Sequence, residues 1–231
     1  MKIIKNEKLI NRNAKIGQWT SLAGVIVLGA GMFITWKYPQ QFNYALVSLL
    51  AGFILTQISI YLGSRFGRSP RPDEKLDAAL KGLPGDFTIY HFTTPVPHLL
   101  VGPAGTWVLL PYHQSGKVMY RNNRWKMAGG GFVQGYMRIF GQENLGRPEA
   151  EAESQIKSLE KELSKRTESE EMPETQAILV FTNDAVELEA EGAPTPAVKA
   201  KQLKDFMRQK AKEQAYTADQ LRQINSMLTE D

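Results

Sequence analysis

Cysteine is absent from the 231-residue sequence, which excludes disulfides, thiolate metal sites and cysteine nucleophiles. Acidic residues are almost absent from residues 1–72, where nine Lys and Arg stand against one acid, Glu7, a net charge of +8. Residues 73–231 carry nineteen basic residues against twenty-three acids, a net charge of −4. The basic character of the chain therefore belongs to its N-terminal part, and the rest is mildly acidic.

Charged residues are also missing from two long stretches, residues 16–36 and residues 38–64. Each stretch is long enough to cross the roughly 30 Å of hydrocarbon in a bilayer as a helix. The short stretch "KYPQQF" lies between them, and its proline and glutamines favour a turn. The sequence therefore predicts a transmembrane helical hairpin over residues 16–64, with spans at about 16–36 and 44–64.

Basic residues flank this hairpin on both outer sides and are scarce in its turn. Residues 1–15 form a basic N-terminal segment and residues 65–72 a basic linker, whereas only Lys37 lies between the spans. The positive-inside rule then places both flanks, and the domain that follows, in the cytoplasm of a multi-pass protein of the cell membrane. A cleaved signal peptide is the competing interpretation, but the long basic lead and the second span that follows at once favour two retained helices.

Residues 73–231 have the pattern of a soluble α/β domain. A short amphipathic helix, "DEKLDAALKGL", precedes apolar runs separated by glycine-containing turns, which is typical of an antiparallel meander. A second helix is predicted at about residues 149–165, and the unalternating "QAILVFT" indicates a strand buried on both faces. Two further helices follow, the last with a Thr217 cap and Gln220 three residues later. We expect an α/β (α+β) domain with a mixed central sheet flanked by helices.

Three quoted stretches carry a resemblance to a known family: "EKLDAALKGLPGDFTIYHF", "PHLLVGPAGTWVLLPYHQSGKVMYRNNRWK" and "QAILVFTNDAVELE". Together they resemble the nuclease-related domain, NERD, of the restriction-endonuclease-like superfamily. The likeness covers most of residues 73–210 and is most specific at the glycine-centred "LLVGPAGTWVL". Domains of this family often occur beside membrane helices, as here.

The resemblance implies an active site with an Asp at the first strand of a hairpin, a Glu-x-Lys on the second and a Glu from the preceding helix. Such a site holds Mg²⁺ with hard oxygen ligands, and the lysine orients the attacking water. The helix position falls on Glu74, the Asp position on Pro97, and the Glu-x-Lys positions on Leu110 and Tyr112. Three of the four chemical groups are therefore missing.

Two interpretations of this loss remain open. In the first, the fold is kept without hydrolytic activity, no cofactor is needed, and Glu74 is an acid that stabilises a helix N-terminus. In the second, Mg²⁺ or another metal is held by displaced ligands such as His98 and His113, together with His91. No Asp or Glu occurs between residues 88 and 142 to assist those histidines.

A segment rich in basic and aromatic residues runs from Pro111 to Arg147 and contains one acid, Glu143. Such residues can contact anionic lipid headgroups or track a phosphate backbone, or they can form a solvated hairpin whose aromatic rings point into the core. The candidate binding residues are Lys117, Arg121, Arg124, Lys126 and Arg138.

These observations predict a membrane-anchored protein without catalytic activity, which binds or scaffolds at the cytoplasmic membrane face. Its expected partners are the lipid bilayer, anionic headgroups or nucleic acid, and other membrane proteins. The alternatives are a tethered metal-dependent nuclease with displaced ligands and an accessory subunit of a larger membrane complex.

Overall fold

The computed structural model describes residues 1–128, 145–166, 174–213 and 216–229. The chain divides into two compact units, a helical unit of residues 6–71 and an α/β unit of residues 1–5 and 72–231. The first five residues, expected to belong to a basic flank reaching to residue 15, are thus part of the α/β unit. The fold class is mixed α+β with two long apolar N-terminal helices.

The helical unit is a hairpin of two helices, both long and apolar enough to cross a membrane. Helix α1 spans Glu7–Lys37, and helix α2 spans Phe42–Leu62. A 3₁₀ turn at Pro39–Gln41 joins them, as the "KYPQQF" stretch predicts, and a π-helical turn at Gly63–Gly67 follows α2. Helix α1 begins well before residue 16 because Asn6 caps it, with its side-chain oxygen accepting a hydrogen bond from the Leu9 amide at 2.9 Å.

Small residues fill the interface between α1 and α2. Gly17, Gly24 and Gly31 are buried at intervals of seven residues along α1. A Cβ atom on Gly31 would lie 2.7 Å from the Ser48 Cβ, so the two backbones approach too closely for a larger residue. The Ser59 hydroxyl adds a hydrogen bond of 3.0 Å to the Gly17 carbonyl. This packing is typical of helices that associate in lipid.

The large apolar side chains of the hairpin point outward. Between residues 16 and 62, most of the exposed positions on the two helices are apolar, including Trp19, Met32, Trp36, Phe42 and Tyr44. A surface of this kind is unfavourable in water and favourable in hydrocarbon.

The α/β unit contains nine strands and four helices among the residues described. The strands are β1 (Lys2–Lys5), β2 (Thr88–His91), β3 (His98–Gly102), β4 (Gly105–Tyr112), β5 (Gly116–Arg121), β6 (Arg124–Ala128), β7 (Thr175–Phe181), β8 (Val186–Glu189) and β9 (Ala197–Lys199). The helices are α3 (Pro72–Leu80), α4 (Pro148–Arg166), α5 (Ala200–Glu213) and α6 (Ala218–Thr229).

Six strands form a mixed sheet in the order β1-β2-β3-β4-β7-β9. Strands β2, β3 and β4 pair antiparallel, as the meander pattern predicts, while β1, β7 and β9 pair parallel to their neighbours. A second sheet has the order β6-β5-β8, so β5 does not continue the main sheet. The tight turn between β5 and β6 places Asn122 and Asn123 at φ of 54° and 56°, which asparagine tolerates better than most residues.

The main sheet carries a hydrophobic core on each face. The α3-side core contains Leu76, Leu80, Leu100, Trp107 and Leu203. The α4-side core contains Leu99, Leu110, Leu159, Leu179 and Leu221. Residues of β7 alternate between the two cores, which confirms the prediction that this strand is buried on both faces.

Candidate functional site

Leu110 and Tyr112, the β4 positions at which the resemblance implies a glutamate and a lysine, are core residues. Leu110 is 2% exposed and packs in the α4-side core. Tyr112 lies in the same core, with its ring stacked on Phe181 at a centroid distance of 5.5 Å and its hydroxyl donating to Glu151 Oε2 at 2.7 Å. Burial, reinforced by the carboxylates of Glu151 and Glu149, raises the pKa of the Tyr112 hydroxyl. Tyr112 is therefore a neutral hydrogen-bond donor, whereas a lysine would be a cation.

Glu74 lies on α3, whose apolar residues Leu76 and Leu80 pack in the opposite core. Pro97 lies in the connection ahead of β3 and is partly buried. The structure thus brings Leu110 and Tyr112 together on one face of the sheet, while the helix that carries Glu74 packs on the other.

The start of α4 supplies two carboxylates near Tyr112. Glu149 accepts a hydrogen bond from the Trp125 indole at 2.7 Å and another from the Thr195 hydroxyl. Glu151 accepts from Tyr112 and, at 3.4 Å, from the Gln155 amide. Acids in the first turn of a helix are stabilised by its backbone N–H groups. These two carboxylates accept bonds from neutral donors that fasten β4, β6 and α4 to one another.

The basic candidates lie mainly on the outward face of the second sheet. Lys117 and Arg121 are paired with Glu189 of β8, at 2.5 Å and 3.0 Å. Arg124 and Lys126 are exposed, and neither has a carboxylate partner among the residues described. Arg138 lies outside the described residues.

The two aromatic rings of the β5–β6 hairpin, Tyr120 and Trp125, lie away from this basic face. Trp125 packs against the α4-side core, and Tyr120 meets it edge to face at 5.3 Å. Within residues 116–128, the outward face therefore presents charge without these rings, which suits phosphate contacts better than base stacking.

A second polar cluster, here called the Lys5 network, is built from β1, α3, β2 and β3. The Lys5 ammonium lies 3.0 Å from Asp73 Oδ2 and 2.6 Å from Asp77 Oδ2. Asp77 Oδ1 lies 2.9 Å from His91 Nε2, and His91 Nδ1 lies 2.8 Å from His98 Nδ1. The side chain of Asp73 is fully buried, and both histidines are buried as well.

The short contact between the two histidines restricts where protons can be. Two ring nitrogens at hydrogen-bond distance require one proton between them, because two lone pairs repel and so do two N–H groups. We assign the proton of neutral His91 to Nε2, because a carboxylate oxygen of Asp77 accepts a hydrogen bond there. His91 Nδ1 is then the acceptor, and His98 Nδ1 is the donor. The network is thus a continuous hydrogen-bonded chain.

The charges of the network stabilise one another. Burial opposes the charged form of Lys5, but hydrogen bonds and attraction from Asp77 and Asp73 outweigh it and raise the pKa of the ammonium. Burial likewise opposes ionisation of Asp77, and its bonds to His91 and Lys5 overcome this effect and lower its pKa. Both groups are therefore ionised at neutral pH.

His113 does not join the other two histidines, because it is exposed in the turn that follows β4. Among the residues described, no three His, Asp or Glu side chains form a group that could hold a metal ion. The nitrogen of His98 that faces His91 is already engaged by it.

Sequence reasoning missed the Lys5 network, although one signal was present. Asp73 and Asp77 lie at positions i and i+4 of α3, on the same helical stripe as Leu76 and Leu80. Acids on an apolar stripe indicate a buried counter-charge, and Lys5 supplies it from a strand far away in sequence.

Comparisons of the chain with protein-family models, with curated proteins and with solved structures found no match. The functional argument therefore depends on the residues and geometry described above.

Proposed function

We propose that this chain is a membrane-anchored module of the nuclease-related type that binds or scaffolds at the cytoplasmic face of the cell membrane and does not cleave nucleic acid. The observation that carries the proposal is the pairing of β1, which precedes the first apolar helix, with β2, which follows the second. This pairing supports a hairpin that leaves and returns on one side.

The same pairing argues against removal of α1 as a signal peptide. Cleavage after α1 would take Lys5 away and leave the buried carboxylate of Asp73 without its ammonium partner. Removing one member of a buried ion pair destabilises the partner that stays behind. The α/β unit is therefore built to keep the residues that precede α1.

The cytoplasmic orientation is supported by the basic flanks. Lys5 is engaged inside the α/β unit, but Lys8, Arg12 and Lys15 remain before the charge-free stretch, and Arg65 and Arg68 follow the second span. Only Lys37 lies at the hairpin turn, so the bias of positive charge favours the cytoplasm for both flanks.

Loss of nuclease chemistry is supported by what replaces the family's polar groups. A leucine in a packed core supplies no ligand, and a neutral tyrosine supplies no positive charge to a phosphate. The neighbouring carboxylates of Glu149 and Glu151 accept bonds from structural donors. The tethered metal-dependent nuclease with displaced ligands therefore has less support than a binding module.

For binding, the exposed face of the β5–β6 hairpin is the best candidate, and anionic lipid headgroups are its best candidate partner. Arg124 and Lys126 are exposed there, and a domain tethered to the bilayer meets headgroups at high local concentration. Nucleic acid and a larger membrane complex are the competing partners.

The test uses the absence of cysteine to label one site. Full-length protein carrying Asn123→Cys in the turn is labelled with an environment-sensitive dye and placed in nanodiscs of neutral or anionic lipid. We expect a blue shift in anionic nanodiscs only, lost in high salt and lost with Arg124→Ala plus Lys126→Ala. The charge-matched control, Lys161→Ala plus Lys212→Ala, should keep the shift.

Equal spectra in the two lipids would reject headgroup binding. Salt-sensitive DNA binding by the same nanodiscs would then favour nucleic acid as the partner. If the protein bound neither anionic lipid nor DNA, the accessory-subunit alternative would be favoured. Mg²⁺- or Mn²⁺-dependent cleavage of plasmid DNA that disappears with Glu74→Ala would overturn the inactive assignment.

A further inference from the structure

Strand β1 is a weak edge strand by its own contacts. It has four residues, pairs on one side with β2, and exposes 44% of Ile3. Ile4 packs against the α4-side core but is only partly buried. In short edge strands with so little apolar burial, the backbone amide hydrogens exchange readily with solvent unless another interaction holds the strand in place.

Lys5 supplies that additional attachment. Its side chain is 16% exposed, and its ammonium bridges the carboxylates of Asp73 and Asp77, which lie one turn apart on α3. Because the Asp73 side chain is fully buried, its ion pair with Lys5 is shielded from water and stabilises α3 as well as β1. Lys2, at the other end of the same strand, is exposed and has no carboxylate partner among the residues described.

We propose that Lys5, Asp73 and Asp77 form a latch that fastens the edge strand β1 to the rest of the α/β unit. With the latch closed, β1 covers the outer edge of β2 along four residue pairs, from Lys2 with Thr88 to Lys5 with His91. With the latch open, β1 leaves the sheet and the outer edge of β2 is uncovered.

Opening the latch is a local event. The two hydrophobic cores contain no large side chain from β1 among their fully buried members. Loss of the Lys5 charge removes the ammonium that bridges Asp73 and Asp77, so β1 loses its side-chain attachment to α3 and water can reach the contact. The rest of the sheet, centred on β4 and β7, keeps its pairing.

Hydrogen exchange measured by mass spectrometry on the full chain in nanodiscs tests this latch. Lys5→Met should raise exchange in the β1 peptide by at least about tenfold while the β7 peptide stays unchanged. The matched control is Lys2→Met, which removes the same charge from the same strand and should leave β1 exchange within about twofold of the parent. Lys5→Arg keeps the charge and should keep most of the protection.

Equal exchange of β1 in Lys5→Met and Lys2→Met would overturn the proposal. Equal loss of protection in β1 and β7 would overturn it too, because Lys5 would then support the whole unit. If Lys5→Met cannot be purified in folded form, the milder Asp77→Asn is tested in its place. We then expect a smaller rise in hydrogen exchange that is confined to the β1 peptide, and an unchanged exchange rate there would contradict the latch. This readout is independent of lipid binding at Arg124 and Lys126.

Discussion

The two faces of the main sheet bury polar groups in different ways. On the α3 face, Lys5 lies between two carboxylates, and the chain of contacts continues through a pair of buried histidines. On the α4 face, Glu149 and Glu151 remain near the helix start and accept bonds from neutral Trp125 and Tyr112. The α3 face thus pairs carboxylates with a cation inside the protein. On the α4 face, the carboxylates are stabilised by the N-terminus of a helix and by solvent.

This difference explains why the acids named here form no metal-binding group within the described part of the chain. Carboxylates that hold Mg²⁺ need open coordination positions and nearby oxygen ligands. Asp73 and Asp77 of the α3 face share the ammonium of Lys5, and Glu149 and Glu151 of the α4 face accept hydrogen bonds from neutral side chains. Both pairs of acids thus serve to hold elements of the fold together.

The largest expected effect comes from Leu110, where the α4 face is most fully apolar. Leu110→Ala should lower the free energy of unfolding by about 2–5 kcal/mol, because it leaves a cavity in a closed core. Chemical denaturation of the detergent-solubilised chain measures this loss, with Leu110→Met as the volume-conserving control, expected to cost less than about 1.5 kcal/mol. A loss below about 0.5 kcal/mol would contradict the burial of Leu110 in a closed core.

A smaller effect is expected for the histidine pair on the α3 face. His98→Leu should cost about 1–3 kcal/mol, because the buried His91 ring then loses a hydrogen-bond partner. His113→Leu is the matched control at an exposed position and should stay within about 0.5 kcal/mol of the parent. Equal effects of the two substitutions would contradict the buried contact.

Tyr112→Phe addresses the α4 face with a milder change. Removing the hydroxyl deletes the bond to Glu151 but leaves the ring in place, and the exposed carboxylate can turn to water. We expect a loss of about 1 kcal/mol in thermal or chemical unfolding. Tyr120→Phe, whose hydroxyl has no partner among the residues described, should cost less, and the reverse order would argue against this bond.

The smallest expected effect is the contribution of Asp77, on the α3 face, to the pH dependence of stability. The pKa of Asp77 is lowered by folding, so its contribution to stability is present above the unfolded value, near 3.8, and is lost as the pH falls through the folded value. The stability gap between the parent and Asp77→Asn should therefore be wider at pH 6 than at the acid end of the range. Urea midpoints at a series of pH values measure the gap, and a gap that widens in acid would have the wrong sign.

The hairpin and the central strands were predictable from sequence, because absent charges, proline-containing turns and unalternating apolar runs act locally. Thr217 and Gln220 also form the predicted capping box, with the Thr217 amide 2.9 Å from Gln220 Oε1. Strand β1 was not predictable in this way. Its four residues have the composition of a basic flank, and its partner β2 follows both apolar helices in the sequence.

The candidate site was predictable only in what it lacks. The sequence shows that Pro97, Leu110 and Tyr112 lack the acidic and basic groups that the resemblance implies there, but the burial of Leu110 and the bond of Tyr112 to Glu151 depend on how β4 meets α4. The sequence predicted Lys117 and Arg121 as binding residues, but both form ion pairs with Glu189 of β8, which the sequence did not indicate. Short strands such as β8 and β9 carry too few residues for a periodic signal.

The position of β1 has a consequence for biosynthesis. During translation, Lys2–Lys5 leaves the ribosome before either apolar helix, whereas Thr88–His91 emerges only after both have been made. Strand β1 therefore stays unpaired until both apolar helices have been synthesised. If the hairpin enters a membrane as proposed, β1 can pair with β2 only in a chain whose two helices both cross it, because a single crossing would leave Lys5 and Asp73 on opposite sides.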